Sequence, residues 1–509
     1  MNPKSNRWPH AAPARSLACA LAGAHKCALA VALGGIASVA SAQTLTDCRV
    51  AGLRNSVKCG VVQRALDPAR PEGVRIDVHY VVVPAMARRK LPDPVFLIAG
   101  GPGQSAIDVA PQVMPLFSRL NNRRDIVFVD QRGTGQSAPL DCPDTKRESL
   151  GEQADNDTQM RQLMRCKAVL LKKPYILAPA DLGMFTTTIA MQDLDAVRQQ
   201  LGATQIDLVG VSYGTRAVLE YMRQFPNAVR RAALDSVAPP DMVLPASFST
   251  DGQAAFDSLI AACAKQTECV KTYPTLRADW DALLAGLPKP ATAPHPLSGA
   301  PERFTLTREM VLGAVRGALY NPAMAAALPP AISEAAAGRY EGLVGMGSLL
   351  GSRRGLQLAM GMHFSVVCAE DAPLMAKATD PPGADFGNSQ AEIYQRVCAE
   401  WPRGAVPAAF YVIPPSRTPA LLLTGGLDPA TPPRHAERVA KALGPAAQLV
   451  IVPNAGHSVL GVGCARDLLY RFIDAADDKA ATAIDAGCLK AIPRPGVFRP
   501  VDLASGASK

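Results

Sequence analysis

The N-terminal part of the sequence lacks an apolar run long enough to cross a membrane. The run from Cys27 to Ala40 covers about 14 residues, whereas a spanning helix needs roughly 20. Four basic residues and no acidic residue stand among the first 42, which end on Ala40-Ser41-Ala42. Positive charge, a short apolar run and small residues in this order are typical of a signal peptide. We therefore expect residues 1–42 to be removed before Gln43 without leaving a membrane anchor, so that the mature protein is secreted or periplasmic.

Runs of Lys and Arg interleaved with aromatic residues are also absent. The formal net charge is +9 over 509 residues, and it falls to +5 without the four basic residues of the signal peptide. Such a mild charge gives little support to nucleic acid as a partner. The 48% hydrophobic content is ample for one large core with an added subdomain, and no internal repeat or heptad pattern points elsewhere.

Metal-binding patterns are missing as well. No C-x-x-C occurs and no histidine stands at ligand spacing beside a pair of cysteines, so we expect neither a metal nor a cofactor. Ten cysteines remain after Cys19 and Cys27 leave with the signal peptide, and an even number in an exported chain suggests disulfides. The simplest pairing, which the sequence alone does not prove, joins sequence neighbours: Cys48 with Cys59, Cys142 with Cys166, Cys263 with Cys269, Cys368 with Cys398, and Cys464 with Cys488.

Short β-rich runs alternate with helical stretches over the first half of the mature chain. Several runs are continuously apolar, such as Val95-Phe96-Leu97-Ile98, which is typical of strands buried on both faces of a parallel sheet. The sequence thus predicts an α/β fold with a mostly parallel sheet flanked by helices. The predicted strands are Gly60–Arg64, Arg75–Val83, Val95–Ala99, Ile126–Asp130, Ile206–Val211, Ala232–Leu234, Ala420–Thr424 and Gln448–Val452.

The strand pattern stops after Ala238-Pro239-Pro240 and resumes only near Ala420. The residues between are rich in Ala, Leu and Met and are broken by a Pro-rich loop from Pro288 to Pro301. We interpret this stretch as a mainly helical lid inserted into the sheet. The expected division is therefore a first core part over 43–239, a lid over 240–410, and a second core part with a C-terminal helix and tail over 411–509.

A nucleophile motif follows one predicted strand. Gly210-Val211-Ser212-Tyr213-Gly214 stands between an apolar run and a helix-like segment, the setting of the strained strand-to-helix turn that exposes a reactive serine. The bare pattern is weak, because chance produces it in about one in five chains of this size, and it is the context that gives it weight. Ser212 is the predicted nucleophile.

A serine hydroxyl needs a base oriented by a carboxylate. Of the five mature histidines, His457 alone follows the last predicted strand, where the chain order Ser, acid, His requires the base. Asp428, after the preceding strand, is the predicted acid, although an Asp before Pro429 can also serve as a helix N-cap. Asp235, at the end of an earlier strand, is the rival acid.

The tetrahedral intermediate of acyl transfer needs backbone N–H donors for its oxyanion. The residue after the nucleophile, Tyr213, supplies one donor. The second is expected in Ala99-Gly100-Gly101-Pro102-Gly103, whose glycines let the backbone approach a substrate closely. We expect Gly101 to be that donor, with Gly100 as the next choice; an ordinary Gly-Pro turn is the structural alternative.

Together these motifs resemble the proline iminopeptidase and tripeptidyl aminopeptidase family of α/β-hydrolases. The resemblance rests on Gly100-Gly101-Pro102-Gly103, on Asp130-Gln131-Arg132-Gly133-Thr134-Gly135-Gln136-Ser137, on Gly210 to Gly214, on Asp428 and on Gly456-His457, and it spans Cys48 to about Leu489. Ala99 is a departure, since iminopeptidases usually carry histidine there, and it favours the exported tripeptidyl branch. Asp130, Arg132 and Ser137 are expected to brace the oxyanion loop without a chemical role.

The resemblance implies cleavage of short peptides from a free N-terminus, with acids of the lid receiving the substrate ammonium. Glu370 and Asp371, next to Cys368, are the predicted acids, and solvated surface charge is the alternative for both. A carboxylesterase with the same three catalytic residues and an inactive binding protein on the same fold are the competing functions, since the fold does not decide the substrate.

Overall fold

The computed structural model describes residues 45–143, 145, 147–352 and 357–499, with the backbone alone for 349–352. The expected signal peptide over 1–42, its cleavage before Gln43 and the end of the C-terminal tail lie outside the described residues.

Among the described residues, nine strands form one sheet, in the order β1-β2-β3-β5-β4-β6-β7-β10-β11. The pairs from β4 and β5 through to β11 are parallel, whereas β1, β2 and β3 pair antiparallel at one edge. The strands are β1 (Thr46–Cys48), β2 (Val57–Ala65), β3 (Arg75–Val83), β4 (Val95–Ile98), β5 (Ile126–Val129), β6 (Ile206–Val211), β7 (Val229–Asp235), β8 (Lys289–Pro294), β9 (Pro301–Leu306), β10 (Ala420–Gly425) and β11 (Ala447–Val452).

Continuous apolar runs form the central strands because both of their faces are covered. Every residue of β4, β5 and β10 is buried, as expected for strands with helices on both sides. The α/β fold class predicted from the sequence is confirmed, and each of the eight predicted strands is present with ends shifted by at most a few residues. The short strand β1, which has no apolar pattern, was missed.

Helices cover the two faces of this sheet. One apolar layer packs α4, α5 and α15 on one face, and a second packs α1 and α16 on the other. The helices are α1 (Ala106–Val113), α2 (Leu150–Ala154), α3 (Asn156–Leu170), α4 (Thr187–Gln200), α5 (Tyr213–Gln224), α6 (Ala246–Lys265), α7 (Thr267–Thr272), α8 (Leu276–Ala285), α9 (Arg308–Leu319), α10 (Pro322–Ala325), α11 (Leu328–Ala336), α12 (Glu341–Ser352), α13 (Met360–Glu370), α14 (Ser389–Glu400), α15 (Pro433–Leu443), α16 (Ala465–Ile473), α17 (Asp478–Ala481) and α18 (Gly487–Lys490). Short 3-10 helices cover Met114–Phe117, Leu120–Asn122, Pro179–Met184, Pro226–Ala228, Ala372–Lys377, Ala408–Tyr411 and Gly444–Ala446.

Residues 240–410, here called the lid segment, lie between β7 and β10 and carry α6 to α14. Much of the segment has its own apolar core, in which Phe256 and Trp280 are fully buried with ring centroids 4.6 Å apart. The Pro-rich stretch expected to be a loop is instead a hairpin, because Lys289–Pro294 pairs antiparallel with Pro301–Leu306. An edge hairpin tolerates proline, since only some of its N–H groups face a partner strand.

Five disulfides join the ten described cysteines in the sequential pairs expected. Cys368–Cys398 ties α13 to α14, and Cys464–Cys488 ties the start of α16 to α18. In the part of the chain that the structure describes, no helix combines the length and apolar character needed to cross a membrane.

Candidate active site

Ser212 occupies a strained turn between β6 and α5. Its φ of 58° and ψ of −126° belong to a backbone conformation that residues with a side chain rarely adopt. The flanking glycines allow this turn, because a Cβ on Gly214 would lie 2.2 Å from the Ile98 carbonyl oxygen and one on Gly210 would lie 2.6 Å from the Gly214 oxygen. The pattern G-x-S-x-G is thus a packing requirement at this corner of the sheet.

His457 lies in the loop after β11 and is oriented by a carboxylate. Its Nδ1 is 2.8 Å from Asp428 Oδ2, and its ring packs edge-on against Tyr320 at 4.9 Å between centroids. The His457 N–H also donates to the Tyr320 carbonyl at 2.9 Å, an approach that Gly456 permits because a Cβ there would lie 2.4 Å from the same oxygen. With Nδ1 held by Asp428, Nε2 is the ring nitrogen free to exchange a proton.

The Asp428 carboxylate is fully buried yet well supplied with donors. Oδ1 accepts from the Ala430 and Thr431 N–H groups, and Oδ2 accepts from the Thr431 hydroxyl at 2.7 Å. Burial acts to raise the pKa of Asp428, but the charge of His457, its hydrogen bond and the two N–H donors lower it to about 2. Burial likewise acts to lower the pKa of His457, but the Asp428 carboxylate holds it above its usual value.

Asp235, the rival acid, has a different set of partners. Its carboxylate accepts from the Val459 N–H at 2.8 Å and the Leu460 N–H at 3.0 Å, and its carbonyl oxygen accepts from the Ser212 N–H at 2.9 Å. Burial raises the pKa of Asp235 to about 6, although these two N–H donors oppose the change. Asp235 therefore ties the Ser212 turn to the loop that carries His457, while Asp428 contacts the imidazole.

The glycine loop after β4 lies against the Ser212 turn, since a Cβ on Gly100 would be 3.2 Å from the Ser212 Cβ. The Gly100 N–H donates to the Gln104 side chain at 3.1 Å, whereas the Gly101 N–H has no acceptor among the described residues. Gly101 has a φ of 113°, which favours glycine. Of the two expected donors in this loop, the geometry thus leaves Gly101 available for an oxyanion.

His363, on α13, supports this loop from the lid segment. Its Nδ1 lies 3.1 Å from the Pro102 carbonyl oxygen and its Nε2 lies 2.8 Å from the Tyr394 hydroxyl. Burial lowers the pKa of His363 to about 4, so the ring is neutral at pH 7. Nothing in the local sequence around His363 signals this contact.

Of the three residues expected to brace the glycine loop, Asp130 contacts the segment that follows this loop, whereas Arg132 and Ser137 bind other elements. Asp130 accepts from the Ser105 hydroxyl at 2.7 Å and from the Ile107 N–H, at the start of α1. Arg132 is fully buried and binds Asp193 through two nitrogens, at 2.7 and 2.9 Å. The Ser137 hydroxyl accepts from the His79 N–H.

Glu370 and Asp371, the acids expected to receive a substrate amine, are buried and have internal partners. Asp371 binds Arg216 at 3.0 and 3.1 Å and accepts from the Leu244 N–H. Glu370 accepts from the N–H and the hydroxyl of Thr187, which in turn bonds Tyr213. The alternative of solvated surface charge is wrong, because both side chains are 1% exposed. This network connects the end of α13 to the helix that begins after Ser212.

A cavity of about 210 Å³ opens between elements of the lid segment and α2–α3. Glu309 and Arg316, both on α9, line it, and neither forms an ion pair with another described residue. Arg316 also reaches Tyr320, the residue packed on His457, by a hydrogen bond of 2.9 Å from Nη2 to the phenol oxygen. Sequence reasoning missed Tyr320, Arg316 and Glu309, because no local motif marks them.

Two family models match the chain. The model described as alpha/beta hydrolase fold matches residues 93–290, and the model described as TAP-like protein matches residues 383–483. These ranges contain the Ser212 turn and the Asp428–His457 pair, respectively.

Among characterised relatives, the chain is 26% identical over 409 residues to serine protease Hip1 of Mycobacterium tuberculosis, covering 74% of this chain and 76% of that protein. It is 28% identical over 196 residues to tripeptidyl aminopeptidase of Streptomyces lividans, covering 37% of this chain and 36% of the relative. It is also 26% identical over 476 residues to carboxylesterase B of Mycobacterium tuberculosis, covering 84% of this chain and 86% of that protein.

Among solved structures, a proline iminopeptidase-related protein from Thermus thermophilus is 16% identical, with a TM-score of 0.36 and 83% of this chain covered against 99% of that one. The family matches agree with the fold and with the strand-to-helix serine turn. The chain therefore has an α/β-hydrolase fold, its residues 383–483 are similar to TAP-like proteins, and it is a serine hydrolase.

Proposed function

We propose that this protein is an exported serine peptidase that cleaves short peptides from a free N-terminus through an acyl-enzyme on Ser212. The observation that carries the proposal is the 2.8 Å contact of His457 Nδ1 with Asp428 Oδ2, beside the strained Ser212 turn. Relatives named serine protease and tripeptidyl aminopeptidase support a peptide substrate. Five disulfides support an oxidising compartment outside the cytosol.

In the proposed mechanism, Ser212 Oγ attacks the scissile carbonyl carbon while His457 Nε2 takes the hydroxyl proton. The oxyanion receives hydrogen bonds from the N–H groups of Gly101 and Tyr213. His457 then returns the proton to the leaving amine as the C–N bond breaks. Water, deprotonated by His457, attacks the ester and releases the acyl peptide, which restores the Ser212 hydroxyl. Asp428 orients the imidazole and stabilises its cationic form throughout.

An N-terminal ammonium needs a carboxylate, because losing its hydration without a partner is costly. Asp371 already forms an ion pair with Arg216, and Glu370 already accepts a hydrogen bond from Thr187. Either carboxylate would therefore have to give up such an interaction to bind the substrate amine. Glu309 is a further candidate, since it lines the cavity and forms no ion pair or side-chain hydrogen bond with the described residues. We therefore add Glu309 to the two acids expected from the sequence.

A panel of chromogenic aminoacyl, dipeptidyl and tripeptidyl amides, each with a free or an acetylated N-terminus, tests this function. The free-amine forms should react faster, because acetylation removes a charge-assisted bond and leaves a carboxylate unpaired, at a cost of about 2 to 4 kcal/mol in kcat/KM. Ser212→Ala should lower turnover by several orders of magnitude and abolish labelling by a fluorophosphonate probe.

Carboxyl-to-amide variants locate the amine site. Glu309→Gln and Glu370→Gln are compared with Glu341→Gln, an exposed lid acid outside the cavity, as the matched control. A selective loss on free-amine peptides identifies the acid that binds the ammonium, whereas short acyl esters should be unaffected. Equal turnover of free and acetylated peptides would reject the aminopeptidase, and fast cleavage of esters without cleavage of any peptide would establish the carboxylesterase.

A further inference from the structure

Arg316 stands out among the described residues by its position next to the candidate active site. It lies on α9, four residues before Tyr320, and its Nη2 donates to the Tyr320 hydroxyl at 2.9 Å. The same tyrosine ring packs against His457. Only one side chain therefore separates this guanidinium from the imidazole.

The guanidinium is held in place by two aromatic rings. Its Cζ lies 3.9 Å from the centroid of Phe248 and 5.3 Å from that of Tyr320. Stacking of this kind fixes the plane of an arginine and leaves the N–H groups at its edge free to bind planar anions. The side chain is thus ordered without an ion pair.

Most N–H groups of the Arg316 guanidinium have no hydrogen-bond acceptor among the described residues. Arg316 Nε is buried and has no acceptor, and the phenol of Tyr320 is the one hydrogen-bond partner of the whole guanidinium among the described residues. Arg216 and Arg231 also have a buried Nε without an acceptor, but each binds carboxylate or carbonyl oxygens through its other nitrogens. A buried donor without an acceptor is rare in proteins and calls for an explanation.

The surroundings of Arg316 indicate what the missing acceptor is. Arg316 lines the 210 Å³ lid cavity together with Glu309, which lies seven residues earlier on the same helix. At 1.5 Å per residue the two positions are about 10 Å apart, too far for them to neutralise each other but within reach of one bound peptide of about three residues. One end of the cavity thus suits a cation and the other an anion.

We propose that Arg316 binds a carboxylate group of the substrate and so makes the enzyme selective for peptides that carry one near the scissile bond. The inference rests on the proposed peptidase function and adds to it a preferred substrate chemistry. Two sources supply such a group: an Asp or Glu side chain, and the C-terminal carboxylate of a very short substrate. A planar carboxylate matches the geometry of the arginine edge and replaces the missing acceptor.

Paired substrates test the proposal in the wild-type protein. The first pair consists of free-amine peptides that contain Glu or Gln at otherwise identical positions beside the scissile bond. The second consists of tetrapeptides with a free or an amidated C-terminus. We expect the carboxylate form of at least one pair to have a kcat/KM at least tenfold higher, and the pair that responds identifies the source. Absence of any preference in both pairs would overturn the proposal.

Variants assign that preference to Arg316. Arg316→Met keeps an unbranched side chain of similar length without charge and should bring the ratio within each pair close to one, while Arg316→Lys should keep part of it. Arg303→Met, at an exposed position on β9, is the matched control and should leave the ratios unchanged. A uniform loss of activity with unchanged ratios would show a structural role and reject the proposal. Fluorophosphonate labelling of Ser212 verifies that each variant is folded and reactive.

A pair of esters separates this inference from the proposed function. The monoester of adipic acid with 4-nitrophenol carries a carboxylate that 4-nitrophenyl hexanoate lacks. If no peptide is cleaved, the peptidase function fails, but a preference for the adipate ester that disappears in Arg316→Met still supports the carboxylate site. An unchanged ester ratio in Arg316→Met, together with unchanged peptide ratios, counts against it.

Discussion

At the scale of single residues, two aspartates near the ends of neighbouring strands have different surroundings: Asp235 ends β7, and Asp428 lies in the loop after β10. Asp428 faces an imidazole and several donors, which lower its pKa to about 2. Asp235 faces backbone N–H groups and no cation in direct contact, and burial raises its pKa to about 6. Since the two carboxylates have distinct partners, we infer distinct roles: Asp428 orients the base, and Asp235 holds the loops together.

Substitution of each aspartate by asparagine should separate these roles. Asp428→Asn should lower kcat by about four orders of magnitude, as loss of the orienting carboxylate does in serine proteases, without loss of the fold. Asp235→Asn should mainly lower the melting temperature. Steady-state kinetics and thermal unfolding of both variants provide the test, and the reverse pattern would show that Asp235 is the catalytic acid.

The pH dependence of kcat/KM tests the interaction between Asp428 and His457. His457 acts as a base only when neutral, and Asp428 holds its pKa above the ordinary value of 6.5. The kcat/KM of the wild type should therefore fall as pH decreases through a midpoint above 6.5. In Asp428→Asn the stabilising charge is gone, so the residual activity should persist to lower pH. A midpoint that is the same in both proteins would contradict this assignment.

At the scale of elements, the loop of Gly100 to Gly103 depends on contacts from the lid segment. Ala359, just before α13, donates its N–H to the Gly103 carbonyl at 2.9 Å, and His363 on α13 contacts Pro102. The position of the proposed oxyanion donor Gly101 is therefore set by an element that is far away in the sequence. We expect α13 to act as a positioning element for the oxyanion site.

His363→Gln should lower kcat/KM roughly tenfold, less than the 10²- to 10³-fold loss of an oxyanion donor itself. The His363 side chain should also affect how the free energy of unfolding depends on pH. Because burial lowers the pKa of His363 to about 4, the unfolded chain binds a proton between about pH 6.5 and pH 4 that the folded chain does not. The free energy of unfolding of the wild type should thus fall as pH decreases through this window.

Denaturant unfolding at several pH values checks this dependence, which should be weaker in His363→Gln. His295→Gln is the matched control, since His295 is a buried histidine in the turn of the β8–β9 hairpin. It should leave kcat/KM unchanged. A His363→Gln variant with full activity and an unchanged pH dependence of unfolding would show that the contact with Pro102 is incidental.

At the scale of the whole molecule, contacts between the lid segment and the sheet loops converge on the candidate active site. Tyr320 holds the backbone of His457, Ala359 holds the glycine loop, and Asp371 holds Arg216 on the helix after Ser212. Five disulfides add covalent links, and Cys368–Cys398 lies within the lid segment next to Asp371. We therefore expect the disulfides to help maintain the geometry of the candidate active site.

Reduction of the disulfides should lower the melting temperature clearly, because each link in loops of this size stabilises by about 2 to 4 kcal/mol. It should also lower activity at moderate temperature. Mass spectrometry of an unreduced digest should show the five pairs of the structure and no free thiol in the mature protein. Several free thiols, or an unchanged melting temperature after complete reduction, would weaken the proposal of export.

Much of this architecture is determined by the sequence itself. Continuous apolar runs such as Val95–Ile98 are stable only when both faces are covered, so they predict buried parallel strands. The close packing around Gly210 and Gly214 makes the serine turn recognisable, and the fixed chain order points to His457. Cysteines close in sequence are also the ones that pair. Each of these features depends on local chain geometry, which a local pattern encodes.

The side-chain contacts between elements that are distant in sequence follow only from the tertiary packing. Asp235 ends β7 and Asp428 follows the end of β10, and the contact with His457 distinguishes Asp428 from Asp235. Arg216 forms an ion pair with Asp371, and the lid segment places Tyr320 against the His457 ring and Arg316 against Tyr320. The partner of a charged side chain is set by the packing of distant helices, because the free energy of burying a charge depends on the three-dimensional surroundings and not on its neighbours in sequence.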